Sequence, residues 1–507
     1  MPALLLGPLL RYVDETSATI WVETDGPCEV TVLAHREPTT EVCGRHYALV
    51  AVTGLAAAST TQYDVRLDGE QVWPLPGRPP SAIRTVGAGG HLRIVTGSCR
   101  RSAPDSLSYR RYGDDALRVY AAELAAAVAR SADRLPDLLL LVGDQVYADR
   151  PISPARQDYY AARPLDEAPP GQPVSFAEYA AAYVEAWSQP DVRWLLSTVP
   201  SSMIFDDHEV VGDWNQSAAW AARMERTGWW PAARTAALTA YAVYQHAGNL
   251  PAPAGQATLA RLGGTIRARP SAGPWGHARS VGDVRIVVLD CRAGRRLTEG
   301  DRSIVPDEDW AALDAAAGSE ARHLVVVSSV PVLLPAAIAY GESWADALAA
   351  GAWGNLGRRV GGVFRSVLGF EHWAAFPASL ARICDVLAGV AASGRTVLVV
   401  SGDVHYGYLA TMGDTGVWQL VSSPLRNPLK RITRTANRAG DRRSVVLLLR
   451  VLARLAGVPA LPTGYAVTDG PWFDNQVATL DLTGPSRRIR LGVVAHGRLR
   501  TVLDRVL

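Results

Sequence analysis

Six short, almost continuous apolar segments constrain the fold of this chain more than any other feature. They are HLRIVTG (91–97), DLLLLVG (137–143), SSMIF (201–205), VRIVVLD (284–290), HLVVVSS (323–329) and TVLVVSG (396–402). Such runs suit strands buried on both faces, because a half-exposed strand would alternate apolar and polar side chains. Amphipathic helical patterns separate several of them, as in FAEYAAAYVEAW and PASLARICDVLAGVAAS. The sequence therefore predicts an α/β fold with helices packed against sheets.

The first 88 residues follow a different pattern. TSATIWVET and CEVTVLA alternate apolar and polar side chains, and TTQYDVRLDG is strand-like before an Asp-Gly turn. This pattern predicts an N-terminal all-β sandwich domain over residues 1–88, and the Gly-rich end of SAIRTVGAGG (81–90) is typical of a domain boundary. The α/β body is then expected over residues 91–507.

Two segments of that body interrupt its alternation of strands and helices, and we interpret residues 335–372 and 428–463 as insertions. Within the second, SVVLLLRVLARLAG is apolar on one side and has three arginines nearby. Such a helix either covers the active site or the core, which is the preferred interpretation, or lies on a membrane surface.

Composition and charge exclude several classes of function. A net charge of +2 over 507 residues lacks the concentrated basic face of a nucleic-acid-binding protein. Five scattered cysteines are too few for a disulfide framework. The first apolar stretch is shorter than the roughly 20 residues that span a bilayer. No signal peptide or twin-arginine motif is visible at the N-terminus, so we expect a cytoplasmic protein with no transmembrane segment and with reduced thiols.

Polar side chains that commonly bind metals follow five of the predicted strands. They occur in the segments Ser98-Cys99-Arg100, Gly143-Asp144-Gln145-Val146-Tyr147, Asp206-Asp207-His208-Glu209, Asp290-Cys291-Arg292 and Gly402-Asp403-Val404-His405. Strand ends of α/β sheets gather their loops into ligand sites. Carboxylates brought within a few ångströms repel and become neutral unless cations lie among them. The combination therefore predicts a metal cluster at one rim of the fold.

Each of these elements has an ordinary explanation when taken alone. The GDxxY pattern also occurs in tight turns with a solvated Asp, and Cys99 is typical of a small buried hydrophobe. For Glu209 the preferred interpretation is an acid in the first turn of a helix.

The order of the motifs resembles the PhoD-like alkaline phosphatases of the calcineurin-like metallophosphoesterase superfamily. The matching segments are a Ser-Cys after the first strand, GDQVYAD, MIFDDHEVVGDWN, LDCR and SGDVHYG, and the resemblance covers residues from about 91 to 482. It implies an αββα metallophosphoesterase sandwich with a binuclear or larger metal centre. The β-sandwich before it also resembles the N-terminal domain of that family. The implied activity is hydrolysis of phosphoric esters by a metal-bound hydroxide that attacks phosphorus.

The resemblance also assigns metal ligands position by position. It places Cys99, Asp144, Tyr147 and His405 around the first metal and Asp144, Asp207 and Asp403 around the second, with Asp144 as the bridge. Thiolate, phenolate and imidazole suit Fe³⁺. The all-oxygen second site suits Ca²⁺, Mg²⁺ or Mn²⁺, and the resemblance points to iron with calcium.

Four further residues are candidates for catalysis and substrate binding. His208 is expected to donate a proton to the leaving alkoxide. Arg292, and second to it Arg100, would hold the non-bridging phosphate oxygens; an ion pair with a nearby Asp is the alternative for both. Asn215 would either hydrogen-bond phosphate or bind the second metal.

The main prediction is a phosphoric ester hydrolase that acts on a phosphate ester. Three other functions stay open: a phosphodiesterase, including phospholipase D-like activity, on the same fold; a binding protein with a catalytically degenerate phosphatase body; and a membrane-surface protein attached through residues 444–457. The presence of Asp144, Asp207, His208, Asp403 and His405 together argues against a degenerate site.

Overall fold

The fold is known from a computed structural model. It describes residues 1–87, 91–102, 106–131, 135–149, 168, 171–264, 273–368, 371–431, 433–435, 442–461 and 464–507. The end of the predicted domain boundary (88–90) and parts of the second predicted insertion (432, 436–441, 462–463) lie outside the described residues. Among the described residues, no helix has both the length and the apolar character needed to cross a bilayer.

Ten short strands form the N-terminal region. They are β1 (Leu4–Val13), β2 (Ala18–Thr24), β3 (Glu29–Val32), β4 (His35–Pro38), β5 (Thr40–Val42), β6 (Arg45–Val52), β7 (Thr60–Gln62), β8 (Val65–Leu67), β9 (Glu70–Trp73) and β10 (Ala82–Arg84). They pair in the orders β1-β2-β6-β5 and β4-β3-β8-β9, with β7 and β10 as a separate pair. Inward side chains such as Ile20, Val30 and Trp73 share one buried cluster.

The remaining strands form two large sheets. They are β11 (His91–Gly97), β12 (Leu138–Val142), β13 (Ser201–Ile204), β14 (His277–Val281), β15 (Val284–Leu289), β16 (His323–Ser328), β17 (Thr396–Ser401), β18 (Gly407–Met412), β19 (Val417–Val421), β20 (Tyr465–Trp472), β21 (Gln476–Thr483), β22 (Ser486–Ala495) and β23 (Arg498–Val506). Their orders are β13-β12-β11-β21-β22-β23 and β14-β15-β16-β17-β19-β18-β20. All six apolar segments lie in β11, β12, β13, β15, β16 and β17, each parallel to a neighbour in this set.

The helices connect and cover these sheets. They are α1 (Ser106–Tyr112), α2 (Ala116–Val128), α3 (Phe176–Trp187), α4 (Pro190–Thr198), α5 (Ala218–Met224), α6 (Trp230–Tyr241), a π-helical turn (Ala242–His246), α7 (Ala247–Asn249), α8 (Ala252–Gly264), α9 (Asp307–Ala317), α10 (Ala336–Ala350), α11 (Gly354–Leu368), a 3₁₀ turn (Trp373–Ala375), α12 (Pro377–Ala392) and α13 (Arg443–Leu455). The mixed α/β class predicted from the sequence is confirmed. α3 begins in a capping box, in which Ser175 and Glu178 satisfy each other's backbone N–H groups.

One hydrophobic cluster contains side chains of both large sheets. It combines Ile94 and Leu140 of the first sheet with Val325, Leu398 and other residues of the second. Both sets of parallel strands therefore bring their carboxyl ends to the region where the polar loops lie.

The N-terminal strands also support the body of the fold. Arg11 in β1 is fully buried and donates to the carbonyl oxygen of Gln245 (2.6 Å) and to Asn249 Oδ1 (2.9 Å). The hydroxyl of Tyr244 lies 3.1 Å from that of Tyr47 and donates to Glu23 (2.9 Å). The N-terminal region is thus joined by buried polar contacts to the π-helical turn.

Candidate metal centre

Four adjacent loops of the two sheets carry the candidate ligands. Cys99 follows β11 by two residues, Asp144 follows β12 by two, Asp207 follows β13 by three and Asp403 follows β17 by two. The carboxyl ends of these parallel strands therefore deliver a thiol and three carboxyls to one place.

The backbone of these loops is unusual, because several non-glycine residues have a left-handed conformation. They are Cys99 (φ 57°), Asp144 (φ 54°), Asp213 (φ 62°), Asn215 (φ 56°), Asp403 (φ 65°) and His405 (φ 60°). Left-handed backbone is costly for residues with a Cβ atom and persists where the surrounding structure fixes it, often at functional sites. The loops thus hold their side chains in directions that a relaxed backbone would not favour.

The first group of donors contains sulfur, nitrogen and oxygen. Ligand atoms of Cys99, Asp144 and His405 all lie within 4.8 Å of one another. The hydroxyl of Tyr147 is 3.2 Å from His405 Nε2 and accepts a hydrogen bond from Asn427 (2.9 Å). The four residues that the resemblance assigned to the first metal are therefore together in the structure.

A second group contains mainly carboxyl oxygens. Ligand atoms lie within 4.8 Å of one another in the sets Asp144–Asp207–His208, Asp206–Asp207–Asp403 and Asp207–Asp213–Glu371. Asp144 belongs to the sulfur-containing set as well, which is the position expected of a bridging ligand.

Burial makes these groups hard to ionise without a cation. Burial and the charges of Asp207, Asp206 and Glu209 raise the pKa of Asp144 well above its usual value, although His208 opposes them. Burial, Asp144 and Asp403 likewise raise the pKa of the Cys99 thiol. Divalent or trivalent cations reverse this balance. The donors present suit two cations, one with thiolate and imidazole and one with oxygen ligands.

Arg292 lies fully buried among the carboxylates. Its Nε atom is paired with Asp206, its Nη1 atom lies 2.6 Å from Glu371, and its Nη2 atom lies 3.5 Å from Asp403. The ion pair that the sequence left open as an alternative is thus present. One Asp206 oxygen, Oδ2, is buried without a hydrogen-bond partner. Asp207 Oδ1 also lies 3.8 Å from Arg292 Nη2, so a single guanidinium faces four carboxylates and cannot neutralise all of them.

His208 is held in place by two neighbours. Its Nδ1 atom is 2.9 Å from Asp149 Oδ1, and its ring packs on that of Tyr147 with centroids 4.3 Å apart. Burial alone would lower the pKa of His208, but the charges of Asp149, Asp207 and Asp144 raise it well above its usual value. The imidazole therefore sits beside the donor cluster with one nitrogen already engaged. Asp149 was within the quoted GDQVYAD motif but was given no role.

Sequence reasoning missed a pair of buried groups from the first insertion. His372 Nε2 is 2.8 Å from Asp403 Oδ2, and His372 Nδ1 is 2.5 Å from Glu342 in α10. Burial would raise the pKa of Asp403, but the hydrogen bond from His372 and the charges of His372 and Arg292 lower it below its usual value. The Glu342–His372 pair thus fixes the orientation of Asp403 through the contact of His372 with Asp403 Oδ2. The signal was weak: of the histidines without an assigned role, His372 stood out only by its position in the first insertion.

The interpretation of Glu209 as a helix acid was wrong, because no helix covers it. Its buried carboxylate accepts hydrogen bonds from the backbone N–H groups of Asp144 (3.0 Å), Gln145 (2.7 Å) and Asp206 (2.9 Å). The side chain of Gln245, in the π-helical turn, donates to it as well (3.2 Å). Glu209 therefore ties two ligand loops together.

The two predicted substrate-binding residues lie in different surroundings. Arg100 is fully buried and binds Asp115 (2.7 Å) and the carbonyl oxygen of Ala186 (2.6 Å), so its guanidinium is turned away from the carboxyl cluster. Asn215 donates to the backbone oxygen of Arg292 (3.1 Å) and lines a cavity of about 410 Å³. Asn215 is thus next to the cluster, whereas Arg100 supports α2 through its N-cap residue, Asp115.

Comparisons with known proteins bear on the family and on the fold of this chain. A family model described as PhoD-like phosphatase matches residues 118–446, and a model described as a domain of unknown function matches residues 1–85. A solved structure titled "Structure of PhoD" is similar over 100% of this chain and 89% of its own, with a TM-score of 0.60 and 12% sequence identity. At that identity the likeness concerns the fold alone. No curated protein matches the chain.

Proposed function

The chain belongs to the PhoD-like phosphatase family, and we propose that it is a metal-dependent phosphoric ester hydrolase. The observation that carries this proposal is the position of Asp144. It is within 4.8 Å of Cys99 and His405 on one side and of Asp207 on the other. A carboxylate shared by two donor sets is the arrangement needed to bridge two cations.

The donor sets support a specific pair of metals. Cys99, Tyr147 and His405 would hold Fe³⁺, because thiolate, phenolate and imidazole suit a transition ion. Asp207 and Asp403 would hold Ca²⁺, or Mg²⁺ or Mn²⁺, with Asp144 shared between both sites. Such cations supply Lewis-acid polarisation of the phosphoryl group and a bound water of lowered pKa.

The residues of the chain would then act on the ester as follows. His208 protonates the leaving alkoxide, since its Nδ1 atom is held by Asp149 and its ring lies beside Asp144 and Asp207, with ligand atoms of the three within 4.8 Å of one another. The Glu342–His372 pair fixes the orientation of Asp403. Arg292 balances Asp206 and Glu371 and would attract the phosphate oxygens through the field of its guanidinium. Arg100 has no part in this mechanism.

The finer description of the fold is part of the same proposal. The two packed sheets would be the αββα sandwich of the metallophosphoesterases, preceded by a separate N-terminal β-sandwich domain over residues 1–88. The support is that residues 1–85 and 118–446 match two different family models. Residues 335–372 and 428–463 would then be insertions in the catalytic domain.

Metal analysis combined with hydrolysis of a chromogenic monoester and a chromogenic diester tests the proposal. We expect iron and calcium in the purified protein, turnover of at least one ester, and loss of both metals and turnover in Asp144→Asn. The matched control is Asp385→Asn, which alters an exposed Asp on α12. Full turnover by chelated, metal-free protein would refute the proposed mechanism.

A further inference from the structure

Two helices of the insertions present apolar side chains to solvent next to arginines. In α13, Leu448 is 58% exposed and Leu455 is 68% exposed, and in α11 Leu356 is 74% exposed. Both helices pack against α10, and Trp353 donates from its indole N–H to the carbonyl oxygen of Leu455 (3.3 Å). The two apolar faces therefore adjoin each other at Trp353, which is itself 43% exposed.

The distribution of side chains around α13 separates three faces. With about 100° between successive residues, the exposed apolar side chains occupy one face, the arginines the next, and buried Ala453 with the half-buried side chains the third. The apolar face contains Leu447, Leu448, Val451 and Leu455, and the arginine face contains Arg443, Arg450 and Arg454. A helix with an apolar face beside a cationic one is typical of proteins that lie in a membrane interface.

α11 also has an apolar outer face with an arginine beside it. Gly361 lets it approach α10 closely, since a Cβ atom there would lie 2.4 Å from the backbone nitrogen of Ala349. Its outer face carries Leu356, Val360 and Val363, with Arg359 beside them. The inner face is thus used for packing, and the apolar outer face is left to solvent.

Neither of the two helices carries an acidic side chain. The sequence has no Asp or Glu between residues 347 and 370, nor between residues 442 and 468. A cavity of about 920 Å³ adjoins α11, and its lining includes Arg223, Arg358, Arg359, Glu299 and Arg302, the last paired with Asp346. The apolar faces are therefore bordered by arginines, and this cavity contains more cationic than acidic side chains.

We propose that α11, α13 and Trp353 form a docking surface for an anionic lipid bilayer. The apolar side chains would enter the interfacial region, and the arginines would bind lipid phosphates. A second copy of this chain fits less well, because a symmetric dimer would bring the same arginines face to face without acids to pair them. α10 lies beneath this surface and carries Glu342. Glu342 contacts His372, and His372 contacts Asp403. These contacts connect the helix beneath the surface to the candidate metal centre.

Sedimentation of the full chain with phosphatidylcholine vesicles containing one third phosphatidylglycerol tests this inference. We expect binding to these vesicles, weaker binding to pure phosphatidylcholine and weakening by salt. Leu356→Glu with Leu448→Glu should reduce the binding constant at least roughly 100-fold, since two buried apolar side chains are lost. The matched control is Val506→Glu, at an exposed position of β23.

A second pair of variants tests how much the positive charge of the arginines contributes to vesicle binding. Arg443→Gln with Arg450→Gln should weaken binding roughly 25-fold at about a fivefold loss for each arginine, whereas Arg498→Gln with Arg500→Gln, two exposed arginines of β23, should not. Failure of the wild type to sediment with anionic vesicles would overturn the inference. So would equal sedimentation of the apolar variant and its control, or a wild-type dimer that the apolar variant dissociates. Vesicle binding needs no catalysis, so its outcome is separate from that of the hydrolase proposal.

Discussion

Glu209 offers the most direct test of how the ligand loops are held. The proposed change is Glu209→Gln, which keeps the shape of the side chain and replaces one acceptor oxygen by an NH₂ group. In the structure, Glu209 Oε2 accepts from the N–H groups of Asp144 and Asp206, and Oε1 accepts from those of Gln145 and Gln245. Whichever oxygen is replaced, the two N–H groups that donated to it then face the new NH₂ group, which is also a donor.

The size of the effect follows from these four contacts. A hydrogen bond to a charged group contributes about 1.5–3 kcal/mol. Loss of two such bonds predicts a decrease of roughly 3–6 kcal/mol in the free energy of unfolding, with relaxation of the loops favouring the lower end. Burial raises the pKa of Glu209, while the donors from Asp206, Gln145 and Gln245 oppose that rise.

Urea denaturation followed by tryptophan fluorescence measures the difference, and metal content is determined on the same samples. The matched control is Glu320→Gln, at an exposed position, which should stay within about 0.5 kcal/mol of the wild type. A loss below about 1 kcal/mol for Glu209→Gln, with metals retained, would show that the loops do not depend on this carboxylate.

Three further outcomes are expected. His208→Ala should retain its metals and lose roughly 10²–10⁴ in turnover, the usual contribution of a general acid; unchanged turnover would remove it from the mechanism. Purified protein should absorb visible light through a Tyr147–Fe³⁺ bond, and Tyr147→Phe should lose that band; a colourless wild type would contradict the ligand assignment. Burial lowers the pKa of His246 to about 4 and that of His277 to about 3. Because both folded-state values lie below the unfolded value, the stability they contribute is present above about pH 6.5 and is lost as the pH falls, by up to about 1.4 kcal/mol per pH unit for each. Acid denaturation should therefore be less steep in His277→Gln and unaltered in exposed His496→Gln.

The sequence was sufficient to predict the α/β class and the family, because both depend on local patterns. Continuous apolar runs identify buried parallel strands, and residues directly after a strand must lie at its end. Cys99, Asp144, Asp207 and Asp403 could therefore be placed near one another before any distance was known. Helices such as α3 and α12 could likewise be predicted from the helical spacing of their apolar residues.

Contacts between distant segments could not be predicted in this way. Nothing near His372 or Glu342 in the sequence indicates that an insertion returns to Asp403. Arg100 and Arg292 each lie three residues after a strand, yet Arg100 binds Asp115 while Arg292 faces Asp206 and Glu371. Glu209 was misinterpreted because three of its four hydrogen-bond donors are backbone N–H groups, which have no signature in side-chain type.

The buried contacts between β1, β6 and the π-helical turn have a practical consequence. Trimming the chain to its phosphatase-family portion would leave the hydroxyl of Tyr244, the carbonyl of Gln245 and the amide of Asn249 without Tyr47 and Arg11. The turn that those groups anchor also presents Gln245 to Glu209. A fragment that lacks the first strands should therefore represent the whole chain poorly, although it would contain all of the residues that match the phosphatase family model.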